Sequence, residues 1–293
     1  MSGPGALGEG RTVRLRDADL HVYQTGPDSG PPVVLLHGFL TSALTWREVY
    51  PALAERHRVT LVDLPGCGGS PAPKARRWTA DRAAGLLVDL FDALGLDAPA
   101  VVGSQMGGSI AAWLAATHPG RVSRLVVMAA GVLGEAAANL GLYRALAAPG
   151  LGPVLARLFP YRPFAEKWAA AHGPGFRPDP TAVRAYHRQL RSRGAVMARF
   201  GLGVRLSYGE SFDALAGPIA GLAVPTLLLF GAADRLVPPS TGHRFAELIP
   251  GSRLTLLPDC GDFPQEEAPA AVAAAVTAFL AETGGRDRVS GAG

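Results

Sequence analysis

Five short stretches of the 293-residue chain hold the side chains on which chemistry could rest. They are LLHGF (Leu35–Phe39), DLPGCGGS (Asp63–Ser70), VVGSQMGGS (Val101–Ser109), GAADRLVP (Gly231–Pro238) and LPDCGDFPQEEAP (Leu257–Pro269). Asp234 and Asp262 offer carboxyl groups that can take or give a proton. Ser104 is a nucleophile only if a base stands beside it. Gln105 cannot attack, because its amide lone pair is delocalised, but it can orient a neighbour. His37 looks catalytic in isolation. Cys67 and Cys260 lie far apart, which excludes a disulfide framework or structural zinc site and fits a reducing cytoplasm. Beside Gly261, Cys260 reads as a small buried hydrophobe. The sequence holds no phosphate loop, dinucleotide fingerprint or metal-ligand cluster, so no cofactor is expected.

Each of these stretches follows a predicted strand. The strands are read at Thr12–Leu15, Leu20–Gln24, Pro32–Leu36, Val59–Val62, Ala100–Val102, Leu125–Met128, Thr226–Phe230 and Arg253–Leu257. VVLL, TLV, VV, LVVM and TLLLF are apolar on every residue, which indicates strands buried on both faces of a parallel sheet. The first two segments alternate around Asp17–Asp19 and predict an antiparallel hairpin at the sheet edge. Helices are predicted at Trp46–Glu55, Thr79–Leu94, Gly107–Thr117, Pro239–Leu248 and Pro269–Glu282, with Thr79 capping the second. Alternation of this kind builds a doubly wound α/β sheet. Residues 134–215 break the rhythm: they are helical in composition, rich in Pro and Gly, and lack a good strand. They predict an inserted helical cap, with residues 1–133 and 216–293 forming the core. The Gly-rich ends, 1–10 and 284–293, predict mobile tails.

Composition narrows the partners. Of 28 basic residues only Lys74 and Lys167 are lysines, a bias that reads as coding in a GC-rich genome. The net charge of +4 divides into +6 on residues 134–215 and −2 elsewhere. No basic block or recognition module accompanies it, so no nucleic-acid partner is expected. No apolar run reaches the ~18–20 residues of a membrane span, and no signal-like segment opens the chain, so no membrane partner is expected. These features predict a cytoplasmic protein acting on a small molecule, as a monomer or homodimer.

In order and context, the five stretches resemble the α/β-hydrolase family from residue 12 to 282. The resemblance implies a mostly parallel eight-stranded sheet with an inserted cap. The family motif G-x-S-x-G places its nucleophile on a tight strand-to-helix turn. Here Gly103-Ser104-Gln105-Met106-Gly107 puts Gln105 at that position. The family histidine loop is Gly261-Asp262-Phe263-Pro264, with Asp262 in the His position, and the acid is Asp234. The resemblance thus implies a degenerate triad with Asp234 close to Asp262, and a shared proton between them. The alternative for Asp262 is a bond to loop amides. The oxyanion donors implied are the backbone N–H groups of Phe39 and Met106. His37 in this family usually supports its loop. His37, Ser104, Trp46 and His187 are the candidate substrate contacts, with His172 also in the cap; His21, His57, His118 and His243 read as surface residues.

A triad so altered argues against covalent hydrolysis. It predicts a cofactor-independent, proton-transfer-driven C–C bond formation or cyclisation on a polyketide-like, partly aromatic natural-product intermediate of bacterial secondary metabolism. Two other readings stand beside it. One is a hydrolase or lyase using Ser104 or a water activated by Asp262; the other is a non-catalytic small-molecule binder.

Overall fold

Strands form where β-branched and leucine runs occur, and all eight lie in one sheet. The structure is a computed structural model that describes residues 7–131, 140–208 and 213–282. Expectations falling on residues 1–6, 132–139, 209–212 and 283–293, including the cap boundary at 133/134 and the charges Glu135 and Glu210, lie outside the described residues. The strands are β1 (Gly10–Val13), β2 (Leu20–Thr25), β3 (Pro32–Leu36), β4 (Arg58–Asp63), β5 (Ala100–Ser104), β6 (Arg124–Met128), β7 (Thr226–Gly231) and β8 (Arg253–Leu257). Their order is β1-β2-β4-β3-β5-β6-β7-β8. β1 and β2 form the expected antiparallel hairpin, and β3 through β8 are parallel. Gly10 pairs with Tyr23, so the expected N-terminal tail is already a strand at its tenth residue.

The wholly apolar runs occupy the centre of the sheet. Val33–Leu36, Val101–Val102 and Leu125–Met128 are buried, whereas β8 at the edge alternates exposed and half-buried residues. Helices α1 (Tyr50–Ala54) and α11 (Pro269–Ala281) cover one face. Helices α2 (Ala80–Leu94), α3 (Met106–Thr117) and α9 (Pro239–Leu248) cover the other. Thr79 caps α2, accepting from Arg82 N–H at 3.2 Å, and Gly95 ends it at φ 61°. The expected helix at Trp46–Glu55 is instead a 3-10 turn at Ala43–Trp46 followed by α1. Pro51 donates no N–H, so the α-helical ladder does not run from the 3-10 turn into α1.

Between β6 and β7 run α4 (Leu140–Ala147), α5 (Leu151–Leu158), α6 (Tyr161–Ala170), α7 (Pro180–Leu206) and α8 (Asp213–Ala220). Phe164, Trp168, Tyr186 and Leu190 pack with Phe39 and Phe263, which places this helical layer over the loops after β3 and β8. The long helix α7 is joined to the sheet along its length. Tyr186 O–H donates to Glu266 Oε1 at 2.7 Å. Gln189 accepts from Gly68 N–H and donates to the Thr41 carbonyl, at 2.6 and 2.8 Å. Arg193 donates to the Ser70 carbonyl at 2.6 Å, and Ser207, capping α7, accepts from Ala80 N–H at 2.7 Å. Among the described residues no helix is long and apolar enough to cross a membrane.

Candidate active site

The turn from β5 into α3 places Gln105 at φ 50°, ψ −119°, a conformation that costs a non-glycine residue about 1–3 kcal/mol. Close packing holds it there. A Cβ at Gly107 would lie 2.5 Å from the Leu36 carbonyl oxygen, so only glycine lets α3 start this near β3. Gln105 N–H donates to the Met128 carbonyl at 2.8 Å, tying the turn to β6. Neither Phe39 N–H nor Met106 N–H has an acceptor among the described residues, and both residues line a cavity of about 310 Å³ above the sheet. Gln105 and Asp262 line the same cavity, whose other walls are mostly apolar cap side chains.

Asp262 and Asp234 come from neighbouring loops. Ala233 N–H donates to the Cys260 carbonyl at 2.9 Å and joins the loops after β7 and β8. Gln105 Nε2 donates to Asp262 Oδ2, and also lies 3.2 Å from the Asp262 carbonyl oxygen. A Cβ at Gly38 would collide with Gln105 Oε1, so this amide spans from the loop after β3 to the loop after β8. Asp234 Oδ1 accepts from Leu236 and Val237 N–H at 2.7 and 2.9 Å. Its Oδ2, and Oδ1 of Asp262, are buried without a hydrogen-bond partner among the described residues. Burial pushes Asp234 up to about 6, against the pull of those two amides. Asp262 rises well above the ordinary carboxylate range, first through burial and then through the negative charge of Asp234. Such a pair titrates jointly and holds a proton more tightly than either acid alone.

These shifts set a stability prediction. The folded state binds protons that the unfolded chain has already released, so stability falls as pH rises from about 4 through 6. Asp262→Asn keeps an oxygen that can accept from Gln105 and removes the charge. It is expected to raise the melting temperature at pH 8 by a few degrees and to leave it nearly unchanged at pH 4. Melting curves at both pH values check this; equal effects at both would remove the pair from the account.

Several expected contacts move elsewhere. Ser104 is fully buried and donates to Gln265 Oε1 at 3.1 Å, beneath the turn and away from the cavity. Adjacent residues at a strand end point to opposite faces, so exposing Gln105 buries Ser104. His37 is likewise buried outside the cavity: its Nδ1 donates to the Gly38 carbonyl at 2.7 Å and its Nε2 accepts from Leu64 N–H at 2.9 Å. Desolvation lowers its pKa, and the ring holds two loops together. Trp46 is core, packed with Val33 and Leu35 beneath the sheet. His187 bonds to the Phe159 carbonyl at 2.8 Å and His172 to that of Trp168 at 2.7 Å; neither lines the cavity. His57, expected at the surface, is buried and bonds the Leu53 carbonyl at 3.1 Å. Cys260 is buried as expected, and burial raises its thiol to about 11.

Other groups went unread in the sequence. Tyr143 lines the cavity and stacks on Phe39 with ring centroids 3.9 Å apart. Lys167 and Arg205, counted in the sequence only as part of the +6 charge of residues 134–215, bring cations to the cavity wall. Helix α10 (Pro264–Glu267) follows Asp262 directly. Its Gln265 bonds Ser104 and, at 2.9 Å, Thr45; its Glu266 accepts from Thr45 at 2.6 Å and from Tyr186. Glu267 accepts from Gly173, Gly261 and Phe263 N–H at 2.7, 2.9 and 3.1 Å. Three polar residues in a row between Pro264 and Ala268 were the available signal.

Residues 31–269 match a protein family described as alpha/beta hydrolase fold. The chain is 29% identical to 2-hydroxymuconate semialdehyde hydrolase of Pseudomonas sp. strain CF600, over 93% of this chain and 94% of that protein. It is 30% identical to 2-hydroxy-6-oxononadienedioate/2-hydroxy-6-oxononatrienedioate hydrolase of Klebsiella pneumoniae, over 88% of each. Carboxylesterase CesB from Bacillus subtilis has a similar solved structure, with TM-score 0.80 and 23% identity over 93% of this chain and 91% of that one. These relatives correct the expectation of C–C bond formation or cyclisation, because they are hydrolases by name.

Proposed function

Because the chain belongs to the alpha/beta hydrolase fold family, we propose that it is a hydrolase that activates water directly rather than forming an acyl-enzyme. Gln105 takes the nucleophile's place and Asp262 that of the histidine. The observation that carries this reading is the buried Asp262 carboxyl, held by the Gln105 amide at the floor of the cavity. Asp262, with Asp234 behind it, removes a proton as a water adds to the substrate carbonyl. The N–H groups of Phe39 and Met106 receive the resulting oxyanion, each worth about 3–4 kcal/mol in sites of this kind. Collapse of the adduct breaks the bond to the leaving group, which takes the proton back from the carboxyl pair. The relatives' names point to small oxo-acids as substrates. The apolar walls suit such a carbon chain, and Lys167 and Arg205 suit its carboxylate.

The test uses a 2-hydroxy-6-oxo-dienoate and a p-nitrophenyl ester. Ser104→Ala is expected to keep kcat within about threefold, and a fluorophosphonate probe to leave the protein unlabelled, since the buried hydroxyl faces away from the cavity. Labelling of Ser104, with turnover lost in Ser104→Ala, would replace water by serine in this reading.

A further inference from the structure

Helix α5 is amphipathic in the inverted sense. A surface helix ordinarily turns its large apolar side chains inward. Here the buried positions are Gly152 and Ala156. A Cβ on Gly152 would collide with the Leu146 carbonyl, and the Cβ of Ala156 lies 3.1 Å from where one on Gly194 would stand. The inner side is thus closed to anything larger. Leu151, Val154, Leu155 and Leu158, spaced i, i+3, i+4, i+7, face outward and are 55, 52, 38 and 71% exposed. They supply four of the six large exposed hydrophobics among the described residues.

A basic rim borders this stripe. Arg157 of α5 and Arg188, Arg191 and Ser192 of α7 line a shallow concavity of about 200 Å³. Arg191 Nε donates to the Arg157 carbonyl at 2.7 Å, which holds the two helices side by side. No ion pair engages these three arginines among the described residues. Within residues 140–208 the acids are Glu166, paired with Arg162 at 2.9 Å, and Asp179, which caps α7.

We propose that this face is a docking surface for an anionic lipid bilayer, with α5 lying in the membrane interface. Apolar residues in a continuous helical stripe beside unpaired arginines match that environment on both counts: the leucines enter the acyl boundary and the guanidinium groups meet phosphates. A second copy of the chain fits less well, since a twofold contact sets like-charged arginines against one another. An acidic protein would satisfy the arginines, but an acidic surface leaves the four exposed apolar side chains beside them without an apolar partner. The surface is peripheral and distinct from a membrane-spanning segment. It stands independently of the hydrolytic reading, although Phe159, which ends α5, also lines the cavity.

The test is co-sedimentation of the full-length protein with vesicles of phosphatidylcholine alone or mixed with phosphatidylglycerol. Binding is expected to the mixed vesicles and to be at least tenfold weaker to phosphatidylcholine and at high salt. Leu155→Asp/Leu158→Asp and Arg188→Glu/Arg191→Glu are each expected to lose tenfold or more. Turnover of a water-soluble ester and the circular dichroism spectrum should be unchanged in both. Absence of binding to mixed vesicles overturns the proposal, as does binding that neither double variant weakens. A dimer in sedimentation equilibrium that the leucine variant splits, without vesicle binding, assigns the face to self-association instead. Binding to poly-glutamate that needs the arginines but not the leucines assigns it to an acidic protein.

Discussion

Asp262→Asn is expected to lower kcat by about 10²–10⁴, the range contributed by a positioned general base. The substitution changes one atom, and its amide oxygen can still accept from Gln105, so folding should survive; the melting-temperature gain predicted above reports that independently. In the unaltered protein, kcat should rise with pH as the carboxyl pair ionises, with an apparent midpoint above the ordinary carboxylate range. The sign follows from the role: a base works only in its ionised form, and burial delays ionisation. In Asp262→Asn that limb should vanish from whatever residual rate is left. Asp234→Asn should shift the limb to lower pH, because the charge that raises Asp262 is gone. Steady-state rates between pH 4.5 and 9 measure both. A full-rate Asp262→Asn enzyme with an unchanged profile would place the base elsewhere.

Glu267→Ala is expected to cost about 2–4 kcal/mol of stability and to reduce turnover at the same time. Its carboxylate is the acceptor for Gly173, Gly261 and Phe263 N–H, and bonds to a charged acceptor are worth roughly 1.5–3 kcal/mol each before half-exposure discounts them. Two of those amides flank Asp262, and the third belongs to the chain leaving α6. Glu267 is therefore a positioning residue for the base. Glu267→Gln, which keeps one acceptor oxygen, should recover part of both losses. Urea unfolding gives the stability and kcat against KM gives the site. A stability loss below about 1 kcal/mol together with normal kcat would show that the loop holds its shape without the carboxylate.

The sheet was legible because its signal is local. VVLL at Val33–Leu36 and LVVM at Leu125–Met128 are apolar on every residue, and a strand buried on both faces demands that. The turn at Gln105 was legible for a related reason: Gly103 and Gly107 bracket it, and their lack of a Cβ lets the start of α3 close onto β5 in the first case and onto β3 in the second. The residues feeding the cavity were harder to read. His37, Trp46 and His187 have side chains suited to chemistry, and whether each faces the cavity or a backbone carbonyl depends on segments remote in sequence. His37 is fixed by Leu64, 27 residues on, and His187 by Phe159, 28 residues back. Tyr143 and Glu267 gain their roles only from three-dimensional neighbours, Phe39 in one case and Gly173 in the other. No periodicity encodes such a meeting.

The fastening of α7 has a mechanical consequence. At 27 residues the helix spans about 40 Å. Bonds at Tyr186, Gln189, Arg193 and Ser207 rivet it to the loops after β4, to the turn at Thr41, to α10 and to the start of α2. It is a fixed beam across the roof, and its wall of the cavity cannot swing. Helix α5 is fastened to that beam in turn, through Arg191 Nε on the Arg157 carbonyl and His187 on the Phe159 carbonyl, and beyond α6 the stretch Ala171–Gly173 reaches the floor, where Asp262 N–H meets the Ala171 carbonyl at 3.0 Å. The stretch that ties this roof to the floor is the one that sets the Asp262 carboxyl, so a load on the roof helices reaches that carboxyl through a single backbone bond.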